Sequence, residues 1–462
     1  MISEQVAARV LEAALSRGGG FAEIFAENTT TTAMNMVNGV LERSNSGIVY
    51  GIGIRVFDGY NAVYAFSNDT REEALVRLAK AVAGAVKQGS SGLCAEFVQG
   101  GAAMQQRRHQ ASKHPGGTRG EVPGLLRRAH EASKAVRSTI SQTNNSYADV
   151  QQDILVANSE GLWVEDRRVR TRVVVSAVAS AGSEKQVGSF APGASRGFEF
   201  LEGLDMERLG GESAEIALRM LHADYAPSGE MPVVIENGFG GVIFHEACGH
   251  GLEATAVAKG ASSFAGKLGQ MIASPIVTAV DDATLPNEWG SLNIDDEGSP
   301  ARRNVLIENG ILKSYLVDRL NGMKMGMPST GSSRRESYKF APTSRMNNTF
   351  IEAGQSKPAD IISATQYGLY AKKMGGGQVQ PATGEFNFAV VEGYMIRGGK
   401  IAEPVRGATL IGKGHEVLLD IDMVGDNLAM EQGMCGSISG NVPTNVGQPT
   451  IRVARLTVGG RL

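Results

Sequence analysis

Apolar residues recur first with a helical period. Val6, Val10, Leu11, Ala14 and Leu15 fall on one stripe, so residues 3–17 are predicted to form a helix that stops at Gly18-Gly19-Gly20. The period then shortens to two. Strands are predicted over residues 21–27, 31–37, 40–44, 47–57 and 61–66, with turns at Asn38-Gly39 and Asp58-Gly59. Residues 70–87 return to the helical pattern through Ala74, Leu78, Ala81 and Val82. Residues 88–118 are polar, glycine-rich and weakly patterned, and read as a long loop. A second round follows: a helix over 121–137, long strands within 139–193, including 153–157 and 170–179, and a helix over 206–222.

Residues 223–229 break the pattern, which predicts an N-terminal α/β domain over 1–225 and a β-rich domain over 226–462. The second opens with a short strand at 232–236 and one helix over 238–257. Strands are then expected at 305–308, 311–317, 348–352, 385–397, 400–405 and 451–458, with helices at 358–365 and 409–420. The fold class is α+β: a sheet-and-helix half, then a β-rich half. The 59 glycines in 462 residues, about twice the usual share of ~7%, fit a chain with many turns and bulges.

The predicted helix over 238–257 carries the densest chemistry. It contains His245-Glu246-Ala247-Cys248-Gly249-His250, two of the seven histidines with a carboxylate beside the first. Imidazole is a common metal ligand, and a carboxylate beside a metal site is a ready general base. The familiar zinc-peptidase spacing is H-E-x-x-H, which puts both rings on one helical face. Here the spacing is one residue longer. Positions i and i+5 diverge by about 140° on a regular helix, so a shared ion requires the turn to widen or the helix to end. Gly249 and Gly251 make that distortion cheap. Two buried histidines merely satisfying core hydrogen bonds is the bland alternative.

Catalytic zinc usually takes three protein ligands. Candidates for the third are Cys435, in a glycine-rich segment read as a loop, Cys248 within the motif, and His415. Two further segments are dense in charge. Asp295-Asp296-Glu297-Gly298 could hold a cation or a peptide amino end, or be a solvated turn. Arg334-Arg335-Glu336-Ser337-Tyr338 could fork onto a carboxylate and donate to an oxyanion, or form a structural clamp.

Composition narrows the partners. The net charge is −3 and no basic stripe exists, so nucleic acid is not expected; the basic run at 107–114 reads as a solvated loop. The N-terminus lacks a signal-peptide pattern and no apolar run approaches a membrane span, so a cytoplasmic location is expected. Three cysteines, Cys94, Cys248 and Cys435, argue against a disulfide framework.

His245-Glu246-x-x-x-His250, Asp295-Asp296-Glu297-Gly298, Arg334-Arg335-Glu336-Ser337-Tyr338, Arg345-Met346-x-Asn348-Thr349 and Cys435-Gly436 occur in an order that resembles the TldD/PmbA family, and its histidine-bearing TldD branch in particular. The resemblance implies a cytoplasmic zinc metallopeptidase acting on short or unfolded peptides. It implies His245, His250 and Cys435 as ligands of one Zn2+ per chain, Glu246 as general base, and a homodimer or a heterodimer with a TldE/PmbA-type partner. One departure stands out: Ser437-Ile438-Ser439-Gly440 follows Cys435-Gly436 where a lysine and an acidic residue are expected, which would alter the substrate groove. Two other classes remain open: a thiol hydrolase using Cys248 or Cys435, and a non-catalytic peptide-binding protein of the same family.

Overall fold

The structure is a computed structural model that describes residues 1–86, 98–99, 120–380 and 383–461. The loop expected at 88–118, the basic run at 107–114 and Cys94 lie outside the described residues apart from the short strand Val98–Gln99.

The first sheet is eight-stranded and built on antiparallel strands in the order Asn61–Ser67, Val40–Asp58, Phe21–Val37, Ile140–Asn158 and Leu162–Ala181, with the two-residue strand Val98–Gln99 parallel to the last. Four of the predicted strands are in fact two: Phe21–Val37 pairs with Val40–Asp58 along its whole length. The polar run Asn28 to Thr30 reads as a break, yet threonine is β-branched and sits well on a pleated surface. Asn38 and Gly39, with φ of 48° and 79°, turn the hairpin as expected. The helices Glu4–Leu15 and Glu72–Ala85 bury Val10, Leu11, Leu75 and Val82 against Ile24, Ile54 and Val56 of one part of this sheet. The helices Val122–Val136 and Met206–His222 cover another part through Leu126, Ala129, Met206 and Leu209.

The chain after Ala223 forms two larger sheets that flank the histidine motif, and a two-stranded one, Ser333–Arg334 with Thr343–Ser344. Five strands close on themselves: Tyr367–Gln380, Gly229–Ile235, Ile451–Gly459, Thr409–Lys413 and Glu385–Arg397, with the last pairing back to the first. A six-stranded sheet runs Ile311–Leu312, Arg303–Glu308, Ala279–Asp282, Asn348–Ile351, Gly440–Gln448 and Ala429–Ser437. The helix expected at 409–420 is a strand followed by one helical turn, Gly414–Val417. Thr409, Leu410 and Ile411 find ladder partners on both sides, and tertiary pairing overrides local pattern. The strand expected at 311–317 keeps only Ile311–Leu312. The strands Tyr367–Gln380, Ala429–Ser437 and Gly440–Gln448 were hidden by glycine and polar residues. No helix among the described residues is long and apolar enough to cross a membrane.

A seam of buried charge joins the first sheet to the later chain. Glu23 accepts from Arg55 and from Arg335, both at 2.7 Å, and Arg55 also reaches Glu297 at 2.6 Å. Asp296 accepts from Arg168 at 2.7 Å, and the Arg335 guanidinium lies 4.2 Å over the Phe25 ring. Burial works against charge on Glu23, but Arg55 and Arg335 together outweigh it and hold its pKa below the usual value. Asp295, Asp296 and Glu297 are therefore part of a buried knot and not a solvated turn. Removing one member strands buried charge, which costs about 3–5 kcal/mol. Glu23→Gln is expected to lower stability by that order, measured as a shift in the urea midpoint at unchanged slope.

Candidate metal centre

The segment expected as one helix over 238–257 is four short pieces. A 3-10 turn Gly238–Gly241 leads into the α-helix Val242–Ala247. The helix ends at Cys248 (φ −126°, ψ −50°), and a second 3-10 turn, Gly249–Leu252, precedes the short helix Ala254–Val257. Packing fixes this course. A Cβ on Gly241 would lie 2.5 Å from the Gly447 backbone, and one on Gly249 would lie 2.2 Å from the Met346 sulfur. The break resolves the i, i+5 spacing: the helix ends rather than forming a π-bulge, so both imidazoles reach one point.

That point is Cys435. Its Sγ lies 3.3 Å from His245 Nε2 and 3.3 Å from His250 Nε2. The two rings stand 5.0 Å apart and nearly perpendicular, at 85°. Among the described residues, these three form the one group whose ligand atoms, all within 4.8 Å of one another, could hold a metal ion. Cys435 lies on the strand Ala429–Ser437, paired along Gly440–Gln448, and not in a loop. A hairpin holds the thiol more rigidly than a loop would.

The donor set suits zinc. Bonds of about 2.3 Å to sulfur and about 2.0–2.1 Å to nitrogen at a tetrahedral angle separate the two donors by about 3.5 Å, close to the distances seen here. The electrostatics agree. Burial opposes charge on Cys435, but the neighbouring His245 and His250 together hold its thiol down at about 3. Burial likewise opposes charge on His250, but Glu253 and Cys435 raise it well above its usual value. A thiolate between two imidazoles is a set of soft and borderline donors that favours zinc.

Other side chains orient these three. Glu253 Oε1 sits 3.1 Å from His250 Nδ1, which leaves Nε2 facing the cysteine. Arg345, fully buried, donates to the carbonyls of Cys435 and Gly440 and to Ser439 Oγ, and its Nε lies 3.8 Å from Glu253. Arg345 belonged to a recognised motif, but its part here was not legible. Glu253 was missed altogether. The spacing His250-x-x-Glu253 was its available signal, since i and i+3 share a helical face.

Glu246 stands at the edge of the cluster, its Oε2 3.6 Å from His250 Nε2 and its side chain 22% exposed. It opens onto a cleft of about 630 Å³, lined also by His250, Glu253, Lys259, Val379 and Ile438. The remaining candidates lie elsewhere. Cys248 is packed in the core with its thiol pushed up by burial. His415 is on the Gly414–Val417 turn, its Nε2 3.8 Å from Glu416. Arg334 donates to the Met346 carbonyl at 2.7 Å, and Tyr338 packs in a core cluster with Phe25. Arg334 and Arg335 are thus structural, and Glu336 accepts from the Asn441 amide at 2.7 Å.

Three family models match the chain, described as PmbA/TldA metallopeptidase domain 1 over residues 22–86, central domain over 119–221 and C-terminal domain over 228–460. A metalloprotease TldD homolog of Buchnera aphidicola is 35% identical over 99% of this chain and 96% of its own length. One of Haemophilus influenzae is 35% identical over 99% and 97%. A relative in Saccharolobus solfataricus, named a zinc metalloprotease TldD homolog, is 31% identical over 53% of this chain and 54% of its own. TldE of Thermococcus kodakarensis shares the fold, with a TM-score of 0.75 at 17% identity over 98% of this chain and 100% of that one. With the whole length accounted for in this way, the chain belongs to the PmbA/TldD metallopeptidase family and is a metalloprotease.

Proposed function

We propose that this metalloprotease hydrolyses peptide bonds in short or unfolded peptides, with one zinc ion held by His245, His250 and Cys435 and with Glu246 as general base. The observation that carries the reading is the meeting of three donors, Cys435 Sγ 3.3 Å from each imidazole, beside a carboxylate that faces an open cleft. Bound there, zinc would acidify a water molecule and polarise a carbonyl. Glu246 takes a proton at Oε2 and returns it to the departing amine. Glu253 keeps His250 oriented through Nδ1, and Arg345 anchors the Cys435 backbone.

Substrate binds extended. In the strand Tyr367–Gln380, one edge pairs with Gly229–Ile235 only at residues 369–371, while the other edge pairs with Glu385–Arg397. Among the described residues, Gln378, Val379 and Gln380 thus have no strand partner on one edge, and they line the cleft. A peptide added there as a strand gains backbone hydrogen bonds without demanding a particular sequence. A folded protein has those groups already paired. A dimer, with a second copy or a TldE/PmbA-type chain, belongs to the same reading.

Incubation with one protein in folded and unfolded forms, followed by mass spectrometry, tests the substrate class. Cleavage of the unfolded form alone is expected, and equal rates would contradict it. A chelator should abolish turnover and zinc restore it. Full turnover after chelation would favour a thiol nucleophile at Cys435. Glu253→Gln is expected to weaken zinc binding by about 10–100-fold, read by competition with a chromophoric chelator.

A further inference from the structure

The turn that follows Cys435 presents one large aliphatic side chain to solvent. Ile438 is 72% exposed, and it lines the same cleft as Glu246 and His250. Single exposed apolar residues are common on protein surfaces and need no explanation by themselves. Two features set this one apart.

The turn is fastened. Ser439 is fully buried, its carbonyl accepts from the Glu336 amide at 2.8 Å, and its hydroxyl accepts from Arg345 at 3.0 Å. Gly440 adopts φ +85°, and the next residue's amide donates to Glu336. Ile438 is therefore held out by a rigid support and is not the tip of a loose loop. It also has apolar company: Val379, Ala256 and Ala261 line the cleft with it, beside the polar Lys259, Gln378 and Gln380.

We infer that Ile438 and Val379 form an apolar subsite that selects peptides carrying an aliphatic or aromatic side chain near the cleaved bond. The inference rests on the peptidase reading above and adds its preference. Ile438 stands three positions after Cys435, a reach of at most about 10 Å. An extended substrate advances about 3.3 Å per residue, so the selected side chain lies within about three residues of the bond. Covering Ile438 and that side chain together removes apolar surface from water on both partners.

The test uses the full-length zinc enzyme and peptides of one length, each with a single leucine replaced in turn by serine. For wild type, one position should lose about tenfold or more in kcat/KM, mostly through KM. Ile438→Ser should erase most of that difference, and Ile438→Leu should keep it, both with unchanged zinc content. The exposed position makes misfolding of either variant easy to exclude by thermal melting. Equal discrimination in Ile438→Ser overturns the inference. So does a changed association state with discrimination intact, which would place Ile438 against a second copy of the chain. If wild type cleaves no peptide, the peptidase reading falls and this inference with it. If it cleaves all of them equally, only this inference falls.

Discussion

Glu246→Gln is expected to lower peptide turnover by about 10²–10⁴-fold, the usual worth of a general base, while zinc and peptide binding survive. The geometry gives the reason. Glu246 Oε2 lies 3.6 Å from His250 Nε2, on the cleft side of the cluster, so it borders the reacting position without belonging to the three-donor group. Glutamine keeps the shape and one acceptor oxygen but takes no proton at neutral pH. Zinc content, peptide affinity and cleavage are measured on one preparation. Loss of zinc would make Glu246 a ligand or a support. Unchanged cleavage would remove it from the chemistry and leave Cys435 as the nucleophile to examine.

Alanine at His245, His250 or Cys435 is expected to act more severely, because it removes the metal and with it every step that needs the metal. Two remaining ligands fall short of the three that catalytic zinc sites use. Cys435→Ala has a second consequence. With the thiolate gone, the carboxylates of Glu253, at 3.1 Å, and Glu246, at 3.6 Å, are left to balance charge on His250. Turnover should fall at least as far as in Glu246→Gln, with stoichiometric zinc lost. Cys248→Ala is the control. Its side chain is fully buried in the apolar core, so zinc should stay bound. Full zinc occupancy in His250→Ala would refute the ligand set.

The periodic helices were the most legible part of the fold. Met206–His222 matches its expected bounds, because a long apolar stripe with Asp205 as cap carries its own signal. The strands around the site were the least legible. Ala429–Ser437 contains Gln432, Gly433, Cys435 and Gly436, and nothing in that run alternates. Its strand state comes from pairing with Gly440–Gln448, which is a long-range fact. The same holds for the histidine segment, which a local reading takes as one helix. Gly241 against Gly447 and Gly249 against Met346 break it by contact, and neither contact can be read from neighbouring residues.

At the site, the histidines and Glu246 were visible from their spacing. Cys435 was one of three open candidates until the resemblance to a family singled it out. The supporting groups were harder to see. Arg345 reaches the Cys435 carbonyl from 90 positions away, and such a role has no local signature. The acidic segment at Asp295 to Glu297 misled for a related reason. Its partners Arg55 and Arg168 lie on the first sheet, so a run that reads as solvated is buried.

Zinc K-edge X-ray absorption on the purified full-length protein tests the ligand assignment most directly. The account predicts about one zinc per chain with one sulfur at about 2.3 Å and two imidazole nitrogens at about 2.0–2.1 Å. A shell without sulfur, or protein that turns over peptide with no zinc present, would contradict it.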